Sequence, residues 1–261
     1  MAAITDSIQT EGKLLYRSEM ASWYGTDVFM EKLKHRQPLS GGYLSYDTGK
    51  GVNNIFFGKG DDPEVLATIS FNYDFDLNSY KLDTASRKLN ETEKELFTIR
   101  RAALSATRTD TLFKRYNNTG TNLIPVVGKR YKRVYILTSP EQSGYVILGN
   151  DYQIDFDKNN NITSKRKIHK SIFVLQTQGK EVQTAGMHSH LPTTGEFMTV
   201  TDVCTLALYG KYTTWDQYYT ISKDCISIWD IKKQLLVIMT MKAWKRIGND
   251  VGKSSLNPPS H

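Results

Sequence analysis

Met187-His188-Ser189-His190, with Asp202 twelve residues further on, organises the reading of this chain. Side chains alternate along an extended strand, so His-x-His sets both imidazoles on one face. Asp202 opens the apolar run Val203-Cys204-Thr205-Leu206-Ala207-Leu208-Tyr209, stopped by Gly210, and this pattern predicts a helix. A carboxylate at a helix N-terminus is favoured by the helix dipole. From there it can turn back toward the two rings. Three N/O protein ligands with a position to spare form the donor set of a catalytic zinc. The competing reading of the same residues is a pair of ordinary structural histidines.

Upstream of this segment the pattern is strand-rich. Asn122-Leu123-Ile124-Pro125-Val126-Val127 predicts a strand, and Pro125 places it at an edge. Arg133 to Thr138, Gly144 to Gly149, Tyr152 to Phe156 and Ser171 to Gln176 continue the pattern, and Thr184 to His188 carries the first histidine. Before them, Asn90 with Glu93 three residues on has the form of a capping box. Leu96, Ile99, Ala103 and Leu104 then recur at helical spacing, predicting a helix that ends near residues 107–110. Residues 1–85 read as a small β-rich N-terminal part, with short strands at 43–46, 54–57 and 66–71 separated by Gly-rich turns. After the second helix, 218–222, 225–229 and 235–239 read as closing strands, and 248–261 as a disordered tail. The order helix, strands, helix, strands predicts an α+β fold, with a mixed β-sheet flanked by the two helices.

Composition narrows the function classes. The chain has 261 residues, 39% hydrophobic and 23% charged, which describes a folding sequence. No apolar run reaches eighteen residues, so no membrane span is expected. Cys204 and Cys225 are the two cysteines, too few for a disulfide framework. The cytoplasm is therefore the default expectation, with secretion if a leader has been removed ahead of Met1. Net charge is +7. Its local clusters, Lys129-Arg130 with Lys132-Arg133 and Lys165-Arg166-Lys167 with Lys170, read as solvated strand ends, so no nucleic-acid partner is expected. No Gly-x-Gly-x-x-Gly or Walker loop occurs. His169, among lysines at a strand start, reads as a surface residue, and Cys204 as a buried core thiol.

The spacing His188-Ser189-His190, then Pro192, Thr199 and Asp202, resembles the JAMM (MPN-type) metalloprotease motif, His-x-His-Pro-x7-Ser-x2-Asp. Leu191 is inserted between His190 and Pro192, and Thr199 stands in the serine slot, three residues before Asp202. The resemblance covers residues 91–240 and implies a JAMM/cytidine-deaminase-like domain at 86–247. It implies zinc on His188, His190 and Asp202, a bound water with lowered pKa, and an oxyanion-stabilising role for Thr199. It further implies a zinc-dependent hydrolase of peptide or isopeptide bonds, with peptide or ubiquitin-like substrates. The family's upstream glutamate has no counterpart near Asn122 or Lys132. Glu93 and Glu95 lie on the preceding helix and Glu181 in the loop before the histidines. Glu196, between His190 and Asp202, is the candidate general base. A catalytically inactive JAMM-like protein-binding module is the second reading.

Overall fold

The computed structural model describes residues 1–177 and 184–254. Glu181 and residues 255–261 lie outside the described residues. The fold is α+β, as the pattern predicts, and the chain forms two compact units, residues 13–175 and residues 1–12 with 176–261. These boundaries do not coincide with the divisions expected at 85/86 and 247/248.

The chain opens with α1 (Ala2–Lys32), followed by β1 (Ser40–Asp47), β2 (Val52–Gly58), β3 (Glu64–Phe71), β4 (Lys81–Asp83) and β5 (Arg87–Lys88). α1 corrects the reading of residues 1–85 as wholly β-rich. It escapes detection because small and polar residues interrupt the apolar stripe of Leu15, Ala21, Val28 and Phe29 that it buries. Ser18 and Ser22 are buried, Ser18 donating to the Ser45 carbonyl (3.2 Å) and Ser22 bonding the Ser45 hydroxyl (2.8 Å). Asn54, fully buried, donates to the same hydroxyl at 2.9 Å. Gly25 sits against Asn54 so closely that a Cβ there would lie 2.2 Å from its Oδ1. Gly25→Ala is expected to destabilise the unit by about 1–3 kcal/mol through overpacking, read as a lower urea midpoint. An unchanged midpoint would mean that the helix–sheet contact is looser than described.

Strands β1 to β4 form an antiparallel sheet in chain order, with β5 on β3. Its core is Leu44, Ile55, Phe57, Val65, Leu89 and Leu96. Leu96 belongs to α2 (Glu91–Thr109), whose predicted capping box is present: Glu93 N–H donates to Asn90 Oδ1 and Asn90 N–H to Glu93 Oε2, both at 2.9 Å. Such a cap contributes about 1 kcal/mol. A second antiparallel sheet follows, from β6 (Thr119–Val127), β7 (Lys132–Pro140), β9 (Tyr152–Phe156) and β10 (Ile162–Lys167), while β8 (Tyr145–Gly149) and β11 (Ile172–Gln176) form a separate pair. Its order is β10-β9-β7-β6, with β11 and β8 paired apart, so β6 and Pro125 lie at an edge as expected. Ile99 and Ala103 of α2 pack on Val134, Ile136, Tyr152, Ile154 and Phe156. α2 thus packs on this antiparallel sheet. The basic clusters find local partners: Lys132 pairs with Glu95, Lys165 with Asp110, and Arg166 donates to Gln153 at 2.7 Å. His169, expected at the surface, is buried, its Nδ1 3.5 Å from Asp151. Gly149 lets that turn close: its φ is +92°, and a Cβ would lie 2.2 Å from the Ser171 carbonyl oxygen.

The other unit is built on β12 (Ala185–Ser189), α3 (Val200–Tyr209), β13 (Gln217–Ile221), β14 (Cys225–Asp230), β15 (Leu235–Thr240) and α4 (Met241–Ser254). Its sheet is mixed, in the order β12-β13-β14-β15: β12 runs parallel to β13 and the rest is antiparallel. The first turns of α1 belong here. Gly12 lies against Val203 of α3, where a Cβ would come within 2.5 Å, and Gln9 accepts the Leu236 N–H at 2.7 Å. α4 corrects part of the expected disordered tail, being helical through Ser254.

Candidate metal centre

The site is built within the second of these units. Parallel strands need a crossover, and α3 supplies it between β12 and β13. In such a unit the carboxyl end of a strand and the N-terminus of the next helix face the same crevice. The sequence puts His188 and His190 at the first and Asp202 at the second.

His188 lies on β12 opposite Thr220. His190 follows the strand and is held by its N–H donating to the Ile221 carbonyl at 2.8 Å. The two Nε2 atoms are 2.8 Å apart. Asp202 Oδ2 lies 4.0 Å from His188 Nε2 and 3.7 Å from His190 Nε2. All three side chains are at most 3% exposed. These separations define a point about 2.1 Å from each of the three atoms, the length of a zinc–nitrogen or zinc–oxygen bond. By distance, the donor set could hold a small divalent metal ion. Two imidazoles and a carboxylate suit zinc and its transition-metal neighbours better than calcium or magnesium, which take oxygen ligands.

Asp202 is held by the cap of its own helix. The Thr199 N–H and hydroxyl both donate to its Oδ2 at 2.9 Å, and the Asp202 N–H returns to Thr199 Oγ1 at 3.1 Å. This reciprocal box fixes the carboxylate that the metal would use. The Thr199 hydroxyl, expected to stabilise an oxyanion, lies 2.9 Å from Asp202 Oδ2 and 3.1 Å from the Thr201 hydroxyl. Glu196, the expected general base, is exposed and stands apart from the group of converging ligand atoms. Cys204 is buried, as expected of a core thiol.

Tyr218 completes the surroundings and was not legible in the sequence. Its hydroxyl lies 3.3 Å from His188 Nδ1. Burial, and then the Asp202 charge, push the phenol well above its ordinary pKa, so it stays protonated. Comparison of the chain with family models, with curated proteins and with solved structures finds no match.

Proposed function

We propose that His188, His190 and Asp202 hold a zinc ion, and that the protein uses it to hydrolyse a peptide or isopeptide bond, in the manner of the JAMM-type enzymes its motif resembles. The observation that carries this reading is the common point about 2.1 Å from all three ligand atoms. Bound there, zinc would supply a Lewis acid and draw the pKa of a coordinated water toward neutrality. The chain's own residues prepare the position. Asp202 contributes the negative charge that lowers the cost of burying a dication, Thr199 fixes the carboxylate's direction, and β12 together with the His190 N–H bond to the Ile221 carbonyl sets the spacing of the two rings. Three protein ligands leave at least one coordination position for water or another donor.

A second reading, a metal-stabilised protein-binding module, is favoured by one specific observation. The Thr199 hydroxyl bonds Asp202 Oδ2, and Glu196 is exposed and outside the group of converging ligand atoms. The two readings separate in a cleavage assay with peptide and ubiquitin-like amide substrates. For the hydrolase, zinc-loaded protein cleaves, chelator stops it, and His188→Ala lowers turnover by about 10²-fold or more, the equivalent of several kcal/mol of transition-state stabilisation. Zinc-loaded protein that leaves every amide substrate intact supports the binding module instead.

A further inference from the structure

Histidine ligands are tuned from behind, through the ring nitrogen that does not face the metal. In this site that nitrogen is His188 Nδ1, and the group it meets is the Tyr218 hydroxyl, 3.3 Å away. The contact is built by the sheet. Gly186 and Tyr218 are directly paired in the parallel register of β12 and β13, and His188 is two residues beyond Gly186, on the same face. The tyrosine ring lies across the space where a side chain at 186 would be. A Cβ on Gly186 would come within 2.6 Å of Tyr218 Cδ2 and Cε2. The ring is fully buried, with Trp215 against it at 5.1 Å between centroids and the His188 ring at 5.6 Å. Tyr218 is therefore fixed on a strand with paired neighbours on both sides, and its hydroxyl has little freedom to leave His188.

We propose that Tyr218 is a positioning residue of the metal centre, accepting the Nδ1 proton of His188 so that the Nε2 lone pair faces His190 and Asp202. The inference rests on the zinc reading given above and adds the group that selects the ligating tautomer. An imidazole with its proton on Nε2 cannot ligate through that atom, so the tautomer decides whether His188 is a ligand at all. The absence of a side chain at Gly186 is part of the same device, since it leaves the room that the ring occupies.

The test uses the full chain and the conservative variant Tyr218→Phe, which keeps the ring and removes the hydroxyl. Two quantities are read: zinc affinity by competition with a chromophoric chelator, and the His188 tautomer in metal-free protein by nitrogen-15 NMR of the imidazoles. The expected result is a proton on Nδ1 of His188 in the parent protein, loss of that preference in Tyr218→Phe, and zinc affinity weakened by about 10–100-fold, the usual size of an outer-shell effect. Gly186→Ala should weaken zinc in the same direction by displacing the ring. Should that variant fail to fold, Tyr218→Phe decides alone. A proton on Nε2 of His188 in the parent overturns the inference, as does unchanged zinc affinity in Tyr218→Phe. A parent protein that binds no zinc overturns the metal reading instead, while the tautomer measurement still decides whether Tyr218 orients His188.

Discussion

Protein purified without chelator is expected to carry about one equivalent of zinc per chain, and His188→Ala and Asp202→Ala should each bring it close to zero. The reason is the small number of donors. Removing one of three ligands leaves two, and two do not compete with water for a dication at ordinary protein concentrations. Asp202→Ala has the larger consequence, because it removes the one negative charge of the set and the reciprocal half of the α3 cap. Thr199→Val is the intermediate case. It keeps all three ligands but deprives Asp202 Oδ2 of one donor, so zinc should remain with about 10–100-fold lower affinity. Elemental analysis and chelator competition measure both. Equal zinc in the parent and the two alanine variants would return His188 and His190 to the status of structural histidines.

Folding stability is expected to fall by on the order of 2 kcal/mol between pH 5 and pH 8, and Glu19→Gln should remove most of that slope. Glu19 is on α1, half-buried, and accepts from Asn122 Nδ2 at 2.5 Å. Burial raises its pKa from 4.5 to about 7, against the smaller opposing effects of Asn122 and of Arg100. The sign follows from the raised value. Below 4.5 the carboxyl is protonated in both folded and unfolded chains. As pH rises, the unfolded chain ionises first and gains free energy that the folded chain does not. The loss is complete above pH 7. The fall stays below the full effect of the raised pKa because solvent screens a half-buried side chain. Urea unfolding across the pH range reads the effect directly. Stability that is flat or rises from pH 5 to pH 8 would show that Arg100 keeps Glu19 ionised.

Glu93 makes the comparison instructive. It is fully buried, and burial again pushes its carboxyl up. Arg87, however, reaches both its oxygens at 2.6 and 2.8 Å, with the Asn90 N–H at 2.9 Å and the Tyr46 hydroxyl at 2.8 Å, and together these hold it below the usual carboxylate range. A guanidinium in direct contact outweighs desolvation, whereas an amide in contact and a guanidinium farther off do not.

Much of the fold was legible where local signals are strong. Asn90 and Glu93 marked the start of α2, and alternation marked most strands from β1 to β15. His-x-His at a strand end and a carboxylate opening a helix were also local patterns, which is why the sequence points to the side chains that converge. α1 was not, because Ser18, Ser22 and Gly25 interrupt the apolar stripe of Leu15, Ala21, Val28 and Phe29. They are buried for their small size against Ser45 and Asn54, a reason that exists only once the sheet is in place. β10 was missed because all its residues but Lys167 are exposed and three of them are cations.

The sequence by itself therefore determined the candidate ligands, since strand periodicity and helix capping act over a few residues. Only the tertiary structure decided what each neighbour of the ligands does. Thr199 caps α3 and bonds the Asp202 carboxylate, Glu196 is exposed, and Tyr218 reaches His188 from a strand thirty residues away. Those roles depend on where a single proton or hydroxyl points, and that direction is set by strand register and the crossover between β12 and β13, which no local spacing encodes.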